Sequence, residues 1–566
     1  MKRTKFTCIA ILLTTFISLS AKGTNKKPEQ IQQWLVKEFF FVSAKTYKNG
    51  FSDVNLDVVF SHSNGIKFRV PAFWDGGNIW KVRFAPTQVG EWTYRTVCSD
   101  SANHSLHNQT GVLLCSKYRG TLDIYKHGFV KTLPDIKYLV YDDDTPFFYL
   151  GDTHWNMPAE QLESSSDKTI SSQFRYLVDK RIQQGFTVYQ SEPLAAKYNL
   201  RNGVSEDDLA GFRDLDAKFK YIAEKGLVHA NAELFFPTEL GEWRRDYSDK
   251  YLELLCRYWV ARFGAYPVLW TTAQECDNDY YHDRILENGV NMNPYFDKDT
   301  NPWKMVAEFI HRYDAYKHPL SAHQEYASIG GQGTIASTSS FRNLPSHSWF
   351  AAQWSPAKNA QLDFNIPRDF LINGQGKPAI NYEGSYDHLW TNEFGARMQG
   401  WTAYLNGMFG IGYGAEDIWY YNSKFDIDKA SVISGITITV DEKKIKWPES
   451  VELPSAYQMN YLHQFFKNME WWKLTPRFDD ATYFNNDSSF YSLASVGRDC
   501  YVIYFYNKSL NTGTLKGVEN KKYVAKWFNP RTGLFKESEI VKVKSNDYII
   551  GNKPDENDWV LLIQKN

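Results

Sequence analysis

Two stretches decide the fold: Trp270-Thr-Thr-Ala-Gln-Glu275-Cys-Asp277 and Lys377-Pro-Ala-Ile-Asn-Tyr-Glu383-Gly-Ser-Tyr386. Each reads as a short apolar run bounded by turn signals and ending in a glutamate, the pattern of a buried strand whose C-terminal end opens on a pocket. In a (β/α)8 barrel the strands all point one way, so residues at their C-terminal ends gather at a single mouth. The two stretches therefore raise one question, whether Glu275 and Glu383 end strands of the same barrel.

Working outward, strand-like and helix-like runs alternate with a period of about 30 to 45 residues, the spacing of βα units and a parallel sheet. The strand runs are 147–152, 186–190, 227–231, 267–272, 319–323, 349–353, 378–382 and 408–412. Between them lie helical patterns at 167–184, around 212–222, at 251–263 and around 303–313, and Gly226 follows the second as a C-terminal cap. The expected core is thus a TIM-type (β/α)8 barrel over about 121–445. An open doubly wound sheet is disfavoured, since no nucleotide-type Gly-rich loop is present.

The flanks read differently. From 28 to 120, short alternating runs (54–60, 66–70, 80–84, 92–97) are broken by Gly, Asn and Asp, which predicts a small antiparallel β-sandwich. From 450 to 566, a helix over 457–472 leads into strands at 489–495, 501–507, 522–529 and 559–563, a second β-sandwich. Lys2, Arg3 and Lys5 before an apolar run from Phe6 to Leu19 predict a signal peptide over 1–22 and an extracytoplasmic (periplasmic or secreted) protein. No other run is long and apolar enough to span a membrane. The five remaining cysteines show no metal-ligand spacing, so no metal and no cofactor is expected. Cys98 and Cys115 fall on two neighbouring strand runs and could pair.

The chain carries 64 Lys and Arg against 65 Asp and Glu, spread along its length, which excludes a nucleic-acid stripe and a polybasic membrane patch. Aromatics make up 16% of its 566 residues, with 19 Trp. Large β-rich cores use such rings, and so do sites that stack them on sugar C–H faces.

At the predicted mouth, the strand ends bring together Asp152, His154 and Trp155, Asn231 and Glu233, Gln274 and Glu275, His323, Gln353 and Trp354, Glu383 and Tyr386, and Trp419. Carboxylates, amides, His and Trp are what a neutral, hydroxyl-rich ligand needs. A glutamate after a strand often serves only as a negative charge at a helix N-terminus; Glu192, Glu233 and Glu325 fit that structural or orienting role. Asp152 and His154 read equally as substrate contacts or structural hydrogen-bonding groups, and Trp419 as core or subsite. Glu275 and Glu383 lie on strands four and seven, on opposite walls, and two opposed carboxylates are the equipment for breaking a glycosidic bond.

The pattern resembles clan A glycoside hydrolases, whose acid/base ends strand four and whose nucleophile ends strand seven. The barrel is similar in particular to the apiosidase-like family common in Bacteroidetes, through Leu139-Val-Tyr-Asp-Asp-Asp-Thr-Pro-Phe-Phe-Tyr-Leu-Gly-Asp-Thr-His-Trp155 and Gly412-Tyr-Gly-Ala-Glu-Asp-Ile-Trp419. The first sandwich resembles a β-domain that precedes such barrels, through Val70-Pro-Ala-Phe-Trp-Asp-Gly-Gly77 and the run Trp80 to Trp92. The last domain resembles one named for collagen binding, through Trp527-Phe-Asn-Pro-Arg-Thr-Gly533. The resemblance implies Glu275 as acid/base and Glu383 as nucleophile of a secreted glycosidase acting on complex, plant-derived oligo- or polysaccharides with retention. Gln274 departs from the clan, which carries Asn there on the sugar 2-hydroxyl; the longer amide points to furanosides or unusual pyranosides. The alternative is a glycan- or matrix-binding protein on a degenerate barrel, which needs the aromatics but not two opposed carboxylates.

Overall fold

The computed structural model describes residues 28–193, 203–231, 248–272, 276, 286–287, 290–291, 303–325, 335–354, 363–422, 430–433, 436–441, 443–485 and 490–566. The expected signal peptide lies outside them.

The N-terminal domain packs a five-stranded sheet, in the order Glu29–Gln32, Thr110–Ser116, Gly90–Cys98, Leu56–His62, Lys67–Pro71, over a three-stranded one. Leu56–His62 shows why: its side chains alternate buried and half-buried, the period of two that gives a sheet one apolar face. Phe60 stacks on Phe84 of the opposing sheet at 3.9 Å. The sandwich is not wholly antiparallel, because Glu29–Gln32 runs parallel to Thr110–Ser116 and covers what would be an open edge. The register also corrects the cysteine pairing. Cys115 lies opposite Gly90, eight residues along the strand from Cys98. That is roughly 25 Å, against the 7 Å Cα separation that is about the most a disulfide allows. Both thiols are free and buried.

The middle of the chain forms one nine-segment parallel sheet that closes on itself. Its strands run, in chain order, Tyr149–His154, Val188–Ser191, Val228–Asn231, Val268–Thr271, a split fifth strand, Phe350–Gln353, Ala379–Glu383 and Gly410–Tyr413. Strand five is broken at Ala322: Leu320–Ser321 pairs with strand four, and His323–Glu325 pairs with strand six. The break lets one strand change partners and complete the ring. Tyr149, Val188, Val228, Leu269, Trp349 and Ile380 pack into one buried cluster inside. Alternate residues such as Leu150, Phe350 and Ile411 pack outward with the helices. Gly151 and Gly412 make room for Gln190: its amide N–H donates to the Tyr382 carbonyl at 2.8 Å and its oxygen accepts from the Tyr149 hydroxyl at 3.0 Å. A Cβ on Gly412 would lie 1.9 Å from the Tyr382 carbonyl oxygen.

Local chemistry sets the helix ends. The Ser172 hydroxyl accepts from the Arg175 N–H, so the first helix begins at Gln173, six residues later than the apolar spacing suggests. Asn392 caps Glu393–Leu405 by accepting from two backbone N–H groups. Gly226, at φ +84°, follows Asp208–Glu224.

The C-terminal domain is a seven-stranded sheet facing a three-stranded one. The Asn529–Gly533 turn is closed by the Gly533 N–H on the Asn529 carbonyl at 2.9 Å. The helix Pro454–Lys467 buries Ala456, Met459, Leu462 and Phe466 in the same apolar cluster as Met398 and Trp401 of the barrel helix Glu393–Leu405.

Candidate functional site

Glu383 ends strand seven and is 3% exposed. Its Oε1 accepts a hydrogen bond from the Tyr386 hydroxyl. Its Oε2 lies 3.4 Å from His323 Nε2, at the break in strand five. Burial pushes the His323 pKa down to about 3, so the imidazole beside the carboxylate is uncharged.

Tyr386 is fixed from three sides. Its oxygen accepts the Trp155 indole N–H at 2.8 Å. Its ring stacks on Trp419 at 4.5 Å and 17°. The Trp155 backbone N–H donates to the Trp419 carbonyl at 2.7 Å, so the loops after strands one, seven and eight are tied together. A tight turn completes the arrangement: the N–H groups of Trp390 and Thr391 both reach the Tyr386 carbonyl, at 3.0 and 3.1 Å.

Trp155 and Tyr386, expected as sugar contacts, and Trp419, read as core or subsite, are all buried and form the wall that holds Glu383. Trp354 is likewise buried rather than an open platform; its ring packs on Phe364 at 5.9 Å and its backbone N–H donates to Asn381 Oδ1 at 3.0 Å. The half-buried rings beside the wall are Trp390 and Tyr420.

Asp152 and His154, read equally as substrate contacts or structural hydrogen-bonding groups, make structural contacts on the outer face of the barrel. They share the outward side of strand one with Leu150, and side chains on that side meet the helices. Asp152 Oδ2 accepts from Arg181 Nε at 2.7 Å and lies 2.6 Å from His154 Nε2. His154 Nδ1 lies 2.6 Å from Glu160, which also accepts from the Tyr189 hydroxyl at 3.0 Å. Burial opposes the charge on His154, but Glu160 and Asp152 on its two nitrogens outweigh it and raise the pKa to about 9. Burial likewise opposes ionisation of Asp152, and Arg181 and His154 hold it below the usual carboxylate value. A buried ion network of this kind braces the strand. Its members Glu160, Arg181 and Tyr189 were not foreseen; Arg181 on the buried stripe of a helix was the available signal, since a buried Arg requires a partner.

Asn231 ends strand three, with its amide N–H donating to the His229 carbonyl at 3.1 Å. Gln353 ends strand six and is half-buried. Asn231 Oδ1, Thr272 Oγ1 and both His323 ring nitrogens are buried and have no hydrogen-bond partner among the described residues, at the ends of strands three and four and the break in five. Buried polar atoms left unpaired are costly, and a ligand rich in hydroxyls satisfies donors and acceptors together. Glu233, Gln274 and Glu275 lie outside the described residues, as does the side chain of Glu325. The chain bracketing Glu275 is tied down: Thr272 N–H donates to the Ser321 carbonyl at 3.0 Å, and Cys276 N–H to the His323 carbonyl at 3.1 Å.

A second buried group borders the wall. Asp387 accepts from the Ser455 hydroxyl and, at 2.8 Å, from the His388 N–H. Burial raises its pKa to about 6.

Comparison with known proteins agrees with this architecture. Residues 30–99 match a domain family of unknown function, DUF5060, and residues 483–564 match the family described as "Putative collagen-binding domain of a collagenase". A search among curated proteins returned no match. A Bacteroides vulgatus ATCC 8482 structure described as a "putative glycoside hydrolase" aligns with a TM-score of 0.66 at 17% identity, covering 95% of this chain and 100% of that one. A glycoside hydrolase family 5 structure from the same organism aligns at a TM-score of 0.57 and 17% identity, over 79% of this chain and 95% of that one. At that identity the likeness establishes the shared fold. Residues 134–473, more than half of the chain, match the family described as apiosidase-like, catalytic domain, and the chain belongs to that family of glycoside hydrolases.

Proposed function

We propose that the protein is a retaining glycosidase in which Glu383 is the nucleophile and Glu275 the general acid/base. Glu275 protonates the leaving oxygen, Glu383 bonds to the anomeric carbon, and Glu275 then takes a proton from the water that releases the sugar. The observation that carries this reading is Glu383 itself: a buried carboxylate at the end of strand seven, held through Oε1 by a donor and flanked by an uncharged imidazole. Glu275 follows strand four in the sequence, and strand four lies three strands round the ring from strand seven, which supports the pairing.

The substrate reading is a plant-derived glycan with a furanoside or uncommon pyranoside, supported by Gln274 and by the polar atoms of Asn231, Thr272 and His323 that have no partner among the described residues. Asn231, Gln353 and His323 are its hydroxyl contacts. Extracytoplasmic action is supported by Lys2, Arg3 and Lys5 before the apolar run 6–19. Among the described residues no helix is long and apolar enough to cross a membrane.

The test is a panel of 4-nitrophenyl furanosides and pyranosides and of pectic side-chain polysaccharides, with the anomeric configuration of the first-formed product read by NMR. Retention, with turnover lost by about 10³-fold or more in Glu383→Gln, is expected. Inversion, or full turnover in that variant, defeats the assignment.

A further inference from the structure

We propose that Tyr386 is a positioning residue that gives the two oxygens of Glu383 different tasks: Oε2 attacks the sugar, and Oε1 is the oxygen whose returning charge Tyr386 receives. The inference rests on the reading of Glu383 as the nucleophile.

The hydrogen-bond directions carry the argument. The Tyr386 oxygen accepts the Trp155 indole N–H at 2.8 Å, and its own proton goes to Glu383 Oε1. An indole has no second proton to offer and cannot accept one through that nitrogen, so the order Trp155 to Tyr386 to Glu383 does not reverse. The ring cannot swing away, because it is stacked on Trp419 and its own carbonyl anchors the following turn. Tyr386 is fully buried, so its hydroxyl serves this carboxylate and not solvent.

An oxygen that accepts a hydrogen bond from a fixed phenol has its lone-pair density drawn toward that proton, which leaves the other oxygen as the better nucleophile. In the first step Oε2 bonds to the anomeric carbon. The bond to the leaving oxygen breaks, and its electron pair stays with that oxygen, which takes the proton from the general acid. Oε1 becomes the carbonyl oxygen of a neutral ester, and the Tyr386 hydrogen bond weakens. In the second step a water oxygen bonds to the anomeric carbon and gives one proton to the general base. The carbon–Oε2 bond breaks, its electron pair returns to the carboxylate, and negative charge reappears on Oε1 against the waiting Tyr386 hydroxyl. A hydrogen bond to a charged group is stronger than one to a neutral ester oxygen. Tyr386 therefore speeds release of the sugar from the glycosyl-enzyme and does not speed its formation.

The test uses the full chain and the 4-nitrophenyl glycoside that the wild type turns over. Tyr386→Phe keeps the ring and its stacking and deletes the proton. A burst of 4-nitrophenol equal to the enzyme concentration is expected. The steady rate that follows should fall about 10- to 100-fold, the range for a hydrogen bond to a charged group. KM should fall with it as the glycosyl-enzyme accumulates, and the acidic limb of kcat/KM should move to higher pH as the carboxylate loses a donor. Trp155→Phe, which leaves Tyr386 in place, should move the same readouts in the same direction by less. A Tyr386→Phe enzyme with raised KM, no burst and an unmoved acidic limb overturns the proposal; so does a folded Trp155→Phe enzyme identical to wild type in all of them. Glu383→Ala separates the two levels. Loss of turnover with rescue by azide, giving a glycosyl azide, upholds the nucleophile. Retained turnover overturns both the nucleophile and the role of Tyr386.

Discussion

Arg397, on the barrel helix that follows strand seven, and Asp558, on the C-terminal domain, form a two-pronged buried ion pair, with Nε to Oδ2 and Nη2 to Oδ1 both at 2.8 Å. Tyr504 adds a third donor to Asp558 at 2.9 Å, and Gln458 accepts from Arg397 at 2.6 Å. The two domains therefore meet through charges withdrawn from water. Removing one partner strands the other, at a cost of about 3–5 kcal/mol. Asp558→Ala should lower the urea midpoint accordingly and expose the interface to proteolysis. An unchanged midpoint would show that the pair contributes nothing.

Asp387 makes stability fall as pH rises across the mildly acidic range. Its ordinary pKa is 3.8 and in the folded chain it is about 6. The native state therefore holds a proton that the unfolded state has lost, and its stabilising effect, complete below about 4, disappears as pH passes 6. The span amounts to about 3 kcal/mol at most. Asp387→Asn should flatten the unfolding free energy between pH 4 and 6 relative to wild type, read by urea titration at half-unit steps.

His154 acts in the same sense at higher pH. Its pKa, raised from 6.5 to about 9 by Glu160 and Asp152, means that the charged network is whole below 6.5 and is lost as pH climbs through 9. Glu160→Gln removes one of the two carboxylates and should reduce the alkaline loss of stability. A stability curve parallel to wild type between pH 7 and 9.5 would remove His154 from the network.

Gly412 is a steric gate on the barrel core. With a Cβ 1.9 Å from the Tyr382 carbonyl oxygen, Gly412→Ala must displace strand eight from strand seven. A loss of about 1–3 kcal/mol is expected from such overpacking, with turnover falling further because strand seven carries Glu383. Thermal melts and turnover measured on the same preparation check both parts.

Cys98 and Cys115 should both react with a thiol reagent in denaturant without prior reduction, and reductant should leave the melting temperature unchanged. Peptide mapping that found them linked would contradict the strand register that separates them.

The barrel was legible because each of its strands is a run of four to six residues bounded by helix caps and turn residues, and those signals are local. Strand five was the exception in detail. Nothing in Pro319-Leu-Ser-Ala-His323 marks Ala322 as the point where pairing passes from strand four to strand six, because the break follows from closing the ring. The parallel first strand of the sandwich escaped notice for a similar reason: a strand's sequence carries its period but not the direction of its partner.

What the sequence by itself determined is the order of the domains, the strand and helix periods, and the strand-end address of Glu383, all of which rest on residue type and spacing along the chain. What only the tertiary structure decided is which way the side chains at those addresses turn. Asp152 and His154 turn outward to Arg181 and Glu160, and Trp155, Tyr386 and Trp419 close into a wall behind the carboxylate. The physical reason is that a buried charge or ring takes its role from partners distant in sequence. Trp155 and Tyr386, 231 residues apart, become one hydrogen-bonded unit with Glu383 only when the ring closes.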